Sequence, residues 1–430
     1  MIRLSLLLFL PLVVTAAPID RIDRLAEKIE SKVIAWRHHI HENPELSNQE
    51  EQTAALVAEH LRALDIEVQT GVAGHGVVGL LRGGKPGPVV ALRADMDALP
   101  VTEQTGLPYA SKVKVDYGGK EIGVMHACGH DAHVAILMGT AEVLAGVRED
   151  LAGTVKFIFQ PAEEGAWPAP EWGAKLMISE GVLENPKVDA IFGLHVWSSM
   201  PSGVIGLRPG PVMASSDFLR ITVTGRQTHA AAPWAGIDPI TVSSQIILGL
   251  QTVASRQVNI LGSPSVVSIG TINGGDRNNI IPDQVVMTGT IRTYDPEVRA
   301  TYHEKVTRTA EKIAAAAGAQ AEVYIGSDTG YAATVNHAEL AEDMRDVFAR
   351  VAGEGKLVTN DLSTGSEDFS FFQKKVPGVF FFLGVTPLDQ DPAKAAANHS
   401  PLFLVDDAAL KTGVRAMAQV AAEYLVRNTK

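Results

Sequence analysis

The segment GVMHACGHDAH (residues 123–133) concentrates side chains that bind metals or attack carbonyl groups. It contains three histidines, one aspartate and Cys128, the only cysteine among the 430 residues. Thiolate and imidazole groups are good ligands for zinc and related divalent metals. A helix is predicted after Asp131, and its positive N-terminal end would favour the thiolate of Cys128. The segment alone is compatible with a metal site, a thiol nucleophile, or a buried cysteine beside a capped helix.

A pair of adjacent glutamates follows an apolar run in the stretch QPAEE. Taken alone, Glu163 and Glu164 are typical of two solvated surface charges. Beside a metal the pair acquires a chemical role, because one carboxylate can bind the cation while the other stays free. The free carboxylate can then act as general base toward a water molecule that the metal activates.

Three further stretches carry candidate ligands or supporting groups. His195 in GLHVW and His399 in NHSP are single histidines, and such residues are usually only hydrogen-bonded. Asp95 and Asp97 in RADMDALP can bind metal, orient a ligand or the catalytic glutamate, or pair with Arg93.

These candidate residues lie at or after the ends of apolar runs that predict buried strands. The runs cover residues 88–97, 154–164, 188–197 and 378–384, and helical periodicity is clear after Asp131. Further helices are predicted over residues 50–64, 337–352 and 406–426. Buried strands that alternate with helices are typical of an α/β sheet covered on both faces. Because such sheets bind ligands beyond the carboxyl ends of their strands, we expect the candidate residues to meet there.

The middle of the chain alternates polar and apolar residues, as half-exposed strands do. Strands are predicted over residues 218–225, 265–272, 284–294 and 321–326, with helices opening at Pro239 and Pro296. The order β-α-β-β-α-β is the ferredoxin-like pattern. We therefore predict an inserted α+β lid domain over 214–328. The rest forms a discontinuous metal-binding catalytic α/β domain over 17–213 and 329–430.

The first residues of the chain predict export. Arg3 is followed by an apolar run from Leu4 to Val14 and then by small residues, which is typical of a signal peptide over residues 1–16. The run is shorter than the ~20 residues that a membrane anchor needs. We therefore expect an exported protein, periplasmic or secreted, without a membrane anchor. The net charge of −12 and the lack of a recurring basic patch argue against nucleic acid as a partner.

Together these stretches resemble the metal-dependent aminoacylase and carboxypeptidase amidohydrolases, a group that includes hippurate hydrolases and auxin–amino-acid conjugate hydrolases. The similarity extends from RHHIHENPELS to the C-terminal helix. The stretches that carry it are RADMDALP, MHACGHDAH, QPAEEG, GLHVW, GRQTHAAAP, GTIRTYD, GSEDFSFF and NHSP.

The resemblance implies a site with two divalent metal ions, and the ligand types leave zinc, manganese, nickel and cobalt open. The implied metal ligands are Cys128, His130, Glu164, His195 and His399. Glu163 takes the position of the general base, and Asp97 that of the supporting aspartate. His229 matches the lid histidine that meets the substrate carbonyl, in some members across a dimer interface. Asn279 matches a lid residue near the substrate, and GSEDFS matches a loop that lines the pocket.

The implied activity is hydrolysis of the amide bond of N-acyl amino acids or small peptide-like substrates. A homodimer through the lid domain is compatible with the resemblance. Arg292 can form a bidentate pair with a substrate carboxylate or pair with a nearby acid, and both alternatives stay open. The link after the paired glutamates is longer than in relatives and adds Trp167 and Trp172, which favours an aromatic or long acyl group.

Three alternatives to this activity remain at the level of the sequence. The first is an exported metallo-carboxypeptidase or dipeptidase. The second is a cysteine amidase with Cys128 as nucleophile and His130 as base. The third is a metal- or amino-acid-binding protein without turnover, although such a protein has no need of a free glutamate beside its ligands.

Overall fold

The computed structural model describes residues 18–165, 171–259 and 262–429, and for residues 18 and 327–329 it describes the backbone alone. The predicted signal peptide and Trp167 lie outside the described residues. Among the residues that the structure describes, none of the helices combines the length and the apolar character that a membrane crossing requires.

The described chain folds into helices and strands that alternate along most of its length. The strands are β1 (Glu67–Val72), β2 (Gly76–Arg82), β3 (Lys85–Asp95), β4 (Lys114–Asp116), β5 (Glu121–Gly123), β6 (Ala152–Gln160), β7 (Ala190–Pro201), β8 (Ile205–Gly206), β9 (Gly210–Met213), β10 (Ser216–Thr224), β11 (Thr228–His229), β12 (Ser265–Asn273), β13 (Ile280–Ile281), β14 (Gln284–Thr293), β15 (Gln320–Tyr331), β16 (Thr334–Asn336), β17 (Leu357–Val358) and β18 (Gly378–Thr386). The helices are α1 (Pro18–Glu42), α2 (Glu51–Ala63), α3 (His130–Ala145), α4 (Gly173–Ser179), α5 (Pro239–Thr252), α6 (Pro296–Ala316), α7 (Ala338–Asp343), α8 (Arg345–Ala352), α9 (Phe369–Gln373) and α10 (Leu410–Asn428). The helix predicted over 337–352 is thus two helices that meet at Met344.

The large sheet has the strand order β1-β2-β6-β3-β7-β18-β8-β17. Its central strands β6, β3, β7 and β18 run parallel, while β1 and β2 are antiparallel additions at one edge. Helices α1, α3 and α10 pack together over one face, and α4 and α9 lie over the other. Helix α3 is buried on nearly all sides because it lies between the sheet and its neighbouring helices. The predicted α/β fold is confirmed.

A second sheet, with the order β12-β14-β10-β15, is antiparallel throughout. Helices α5 and α6 pack against it, which gives the predicted β-α-β-β-α-β arrangement of the inserted lid. Both helices begin as the sequence indicated. The carboxylates of Asp238 and Asp295 accept hydrogen bonds from the first-turn N–H groups, and a proline occupies the first helical position. The sheet extends from Ser216 to Tyr331, and the exact limits of the two domains stay a prediction.

The strand that carries His195 continues further than the apolar run indicated. Strand β7 extends to Pro201, although the apolar run over 188–197 predicted a strand with His195 near its end. Its pairing with β3 stops at Gly193, opposite Arg93, while its pairing with β18 continues. His195 therefore lies at the open edge of the sheet because β3 no longer pairs with β7 at this point, and not because β7 itself ends.

Candidate metal centre and active site

The five predicted metal ligands converge beyond the carboxyl ends of the parallel strands. The ligand atoms of Cys128, His130 and His195 all lie within 4.8 Å of one another. Those of Cys128, Glu164 and His399 meet the same limit. Cys128 belongs to both groups, because its Sγ atom lies 3.4 Å from His195 Nε2 and 3.2 Å from His399 Nε2. We call these five side chains the donor set.

Two buried atoms of the donor set lack a hydrogen bond within the described part of the chain, namely His130 Nε2 and Glu164 Oε1. Glu164 Oε1 lies 3.2 Å from His399 Nε2, but without hydrogen-bond geometry. A buried polar atom without a partner is unfavourable, so each of these two atoms needs a binding partner such as a cation. Sulfur, imidazole and carboxylate donors together fit divalent cations such as zinc. The residues present therefore fit the predicted metal ions.

The charges around the donor set also call for cations. Burial alone would lower the pKa of His130, but carboxylates led by Asp95 and Asp97 raise it to about 10. Burial, followed by the charge of Glu164, raises the pKa of the Cys128 thiol well above its usual range. The sequence predicted the opposite shift for this thiol, and that prediction is wrong because burial and the carboxylates outweigh the helix N-terminus. A cation held by the donor set would reverse this balance and favour the thiolate of Cys128.

The start of α3 fixes Cys128 and His130 relative to each other. Gly129 between them adopts a φ of 97°, and a Cβ atom there would lie 2.2 Å from Val196 Cγ2. Only glycine therefore allows this close turn. His130 Nδ1 lies 2.8 Å from the carbonyl oxygen of Asp97 and 3.2 Å from its Oδ1 atom, which leaves Nε2 directed to the donor set. Asp97 thus orients the ring of His130, a predicted ligand.

The two remaining histidines are oriented by backbone contacts. His195 Nδ1 donates to the carbonyl oxygen of Val196 at 2.7 Å, so that Nε2 faces Cys128. Burial lowers the pKa of His195 well below its usual range, which keeps its imidazole neutral and able to bind a metal. The loop of His399 is held by Asn398, whose Nδ2 atom donates to the carbonyl oxygens of Cys128 and Val196.

The turn 161–165, which we call the glutamate turn, presents the adjacent glutamates. It follows β6, and Ala162 adopts a positive φ of 53°. The backbone N–H of Glu164 donates to Asp97 Oδ2 at 2.9 Å, and the hydroxyl of Tyr331 donates to the carbonyl oxygen of Glu163. Burial, then the charges of Glu367 and Glu164, raises the pKa of Glu163 well above its usual range. A buried carboxyl group with a raised pKa suits general acid–base work.

One buried cation, Arg93, organises the acidic groups behind Glu163. Its guanidinium donates to Asp95 at 2.6 Å, to Asp368 at 2.9 Å and to Glu367 at 3.0 Å. The backbone N–H of Asp368 in turn donates to Glu163 Oε1 at 3.4 Å. Of the three roles open to Asp95, the structure shows the pairing with Arg93, and Asp95 also bonds His133 Nδ1 at 2.5 Å.

A cavity of about 630 Å³ opens above the donor set. Trp172, Trp197 and Tyr331 contribute aromatic surface to its wall, and residues of the loop 363–367 complete it. Arg292 reaches the cavity from strand β14 and donates to Ser366 Oγ at 3.1 Å. Burial lowers the pKa of Arg292, although the charge of Asp217 acts in the opposite direction. A cationic group in this position favours a substrate that carries a carboxylate.

The structure does not bring all predicted site residues to this cavity. His229 and Asn279 lie together, because the N–H of Ala230 donates to the carbonyl oxygen of Asn279 and His229 pairs with Ile280. Both are exposed, and within the described ranges neither lines the cavity. The lid of this chain therefore supplies Arg292 to the cavity but not His229.

Sequence reasoning missed several residues that support the site. Tyr331 and Glu50, each bonded to the glutamate turn, were not singled out, and Glu50 was read only as the start of a helix. A carboxylate at a helix start is ordinarily read as a cap, so the pattern gave no sign that Glu50 contacts a distant turn. Tyr331 is the last residue of strand β15 of the lid sheet, and only the fold brings it to Glu163.

Comparison with known proteins agrees with this geometry. The model of the peptidase family M20/M25/M40 matches residues 91–423. Thermostable carboxypeptidase 2 of Saccharolobus solfataricus is 42% identical over 407 residues, which cover 94% of this chain and 98% of the relative. N-acetylcysteine deacetylase of Bacillus subtilis is 40% identical over 407 residues, covering 93% and 99%. The crystal structure of Bacillus subtilis YXEP, described as a dinuclear metal-binding peptidase of the M20 family, is 38% identical with a TM-score of 0.79, covering 93% and 99%.

The chain belongs to the peptidase family M20/M25/M40. The predicted resemblance is confirmed, and the protein is a metal-dependent hydrolase that acts on amide bonds. The assignment of individual roles to the site residues stays a prediction.

Proposed function

We propose that the protein hydrolyses the amide bond of N-acyl amino acids with two divalent cations bound to the donor set. The observation that supports this proposal is that the two adjacent glutamates have different surroundings. The Glu164 carboxylate lies with the ligand atoms of Cys128 and His399, whereas the Glu163 carboxylate, although also close to His130, accepts a hydrogen bond from the backbone N–H of Asp368 beside the cavity. A site that only bound metal would have no use for the second buried carboxylate.

The side chains of the site can carry out amide hydrolysis as follows. When bound, the cations polarise the substrate carbonyl and acidify a water molecule. Glu163 takes one proton from the attacking water while the water oxygen bonds to the carbonyl carbon. Glu163 then returns that proton to the amide nitrogen, and the carbon–nitrogen bond breaks. The raised pKa of Glu163 suits both transfers, because the same group must accept and release the proton.

The cavity supports a defined class of substrate. Arg292 provides a partner for the carboxylate of the released amino acid. Trp172, Trp197 and Tyr331 provide aromatic surface for the acyl group, and a cavity of about 630 Å³ is larger than an acetyl group requires. A metallo-carboxypeptidase or dipeptidase is the second candidate, because a peptide also presents a terminal carboxylate to Arg292.

Purified protein with its native metal content should establish the substrate class. We expect elemental analysis to find about two equivalents of divalent metal per chain, because thiolate, imidazole and carboxylate donors of this kind bind zinc and related cations. Mass spectrometry of N-acetyl, long-chain N-acyl and N-benzoyl amino acids, together with dipeptides, should show release of the free amino acid. The highest kcat/KM is expected for an aromatic acyl group. Metal-loaded protein that is inert on every compound would favour the binding protein without turnover.

We also propose a homodimer through the lid. Strand β12 forms an edge of the lid sheet, and Val266 and Ile272 on it are exposed. Helix α5 beside it exposes Leu248 to 71%. An apolar sheet edge of this kind is a template for pairing with a second chain. A partner subunit can then supply His229 to the cavity that this chain leaves without it, as a donor to the carbonyl oxygen of the substrate.

Mixing two inactive variants tests this arrangement. We expect H229A and E163Q each to lose nearly all activity. When the two are unfolded and refolded together, half of the dimers should be mixed, and one of their two sites contains both native residues. Activity should then recover to about a quarter of the wild-type level. Refolding each variant alone is the control, and no recovery on mixing would contradict supply of His229 by the partner.

A further inference from the structure

The glutamate turn is held by the loop that precedes α2. Ala162 has a positive φ, a conformation that residues with side chains adopt only when their surroundings impose it. Its backbone N–H donates to Glu50 Oε1 at 2.8 Å, although 112 residues separate the two in sequence. Glu50 is fully buried. This contact fixes the residue directly before Glu163 and Glu164.

The position of Glu50 shows that its side chain is not used for its own helix. Glu50 is the N-cap residue of α2, yet its carboxylate makes no capping hydrogen bond. Glu45 takes over that task, because its carboxylate accepts from the backbone N–H groups of Gln52 and Thr53 at 2.9 Å each. The carboxylate of Glu50 is thus free to bond across the molecule, where an N-cap acid would ordinarily bond within the helix.

The same loop reaches the glutamate turn a second time through Asp97. Ser47 Oγ donates to Asp97 Oδ2 at 2.6 Å, and the same oxygen accepts from the N–H of Glu164. The loop therefore supports the turn at both ends. Burial, together with the charge of Asp97, raises the pKa of Glu50 to about 8, so the ionised form of this carboxyl group is disfavoured here. The unfavourable burial of this carboxyl group suggests that Glu50 has a specific role in the structure.

We propose that Glu50 is a positioning residue that holds the glutamate turn, and through it aims Glu163 and Glu164 at the cations and the substrate. The inference rests on the proposed function but concerns a residue that touches neither metal nor substrate. It follows that loss of the contact at Ala162 loosens both glutamates together. Metal affinity and kcat should therefore fall together, while KM should change little.

Three variants of Glu50 and one control test this role. We expect E50A to lower metal affinity and kcat by about 10–100-fold, the range seen when residues that orient metal ligands are removed, with KM within about threefold of the wild type. E50D, which is too short to reach Ala162, should follow E50A. E50Q keeps an acceptor oxygen for the Ala162 N–H and should restore both values to within about threefold. E45A is the matched control, because it removes a carboxylate of the same loop that serves only α2.

The readouts keep this inference separate from the proposed function. Metal affinity is measured by competition with a chelator, and hydrogen exchange of peptides that span 161–165 reports the turn without metal or substrate. Faster exchange in E50A than in E45A is expected. Equal exchange, or wild-type metal affinity in E50A, would overturn the role of Glu50. If E50A does not fold, the comparison of E50Q with E50D decides, and equal values for these two would overturn it as well. Failure of the wild type to cleave any substrate would affect the proposed function alone.

Discussion

The variant E163A is expected to bind metal at the wild-type level and to lose about 10²–10⁴-fold in kcat, the typical contribution of a general base. The reason is the proposed division of roles, in which Glu163 acts as the base and Glu164, whose carboxylate lies with Cys128 and His399, binds the cation. Steady-state kinetics and elemental analysis on the same sample check the two parts of this statement.

The adjacent residue provides the matched control for this experiment. E164A removes a carboxylate of equal size from the same turn, but one that lies with Cys128 and His399 in the donor set. We expect E164A to lose metal as well as activity. An E163A variant that stays active at full metal loading would remove the base assignment, and one that loses its metal would make Glu163 a ligand.

Removal of the divalent cations should abolish activity and lower stability. Without cations, the charges of the buried carboxylates are not neutralised, and the Cys128 thiol keeps its raised pKa. The buried oxygen and nitrogen atoms of the donor set that make no hydrogen bond within the described residues also lose the cation as their partner. We expect chelator-treated protein to retain less than about a thousandth of its activity, since the Lewis-acid contribution is worth several kcal/mol. Its melting temperature should fall by several degrees, because ligand binding stabilises the folded state.

Restoration by added cations distinguishes this result from simple damage. Zinc, manganese, nickel and cobalt should be added back separately, and the recovered activity identifies the metal that the site uses. A cysteine amidase would behave in the opposite way, because chelation would leave activity intact and alkylation of Cys128 would abolish it even with metal bound. The buried position of Cys128 within the donor set instead predicts that the metal-loaded protein resists alkylation.

The position of this site could be predicted from the sequence because its candidate ligands follow local patterns, whereas the ligand set itself was implied by the family resemblance. Cys128 and His130 stand at a helix start, and Glu164 follows a buried strand, so strand and helix periodicity placed them at one edge of the sheet. The fold class followed from the same periodicity. These features depend on short segments of chain, which the sequence displays directly.

The rest of the site depends on contacts that no local pattern reveals. The bond between Ala162 and Glu50 spans 112 residues, and that between Tyr331 and Glu163 spans 168. The direction of the Cys128 pKa shift was also predicted wrongly, because burial in the folded chain raises this pKa most and carboxylates from distant segments raise it further. His195 was placed at a strand end, whereas partner strands rather than hydrophobicity set where the sheet opens.

The guanidinium of Arg93 ties the 363–369 loop to the central strand β3 through Glu367 and Asp368. Loss of Arg93 would leave the buried carboxyl groups of Asp95, Glu367 and Asp368 without their cation, at about 3–5 kcal/mol. The loop therefore cannot be exchanged for that of a relative without also exchanging its buried charge partners. A redesign of this part of the cavity wall has to include the buried residues that balance its charges. We therefore expect substitutions at these positions to occur together during the evolution of related proteins.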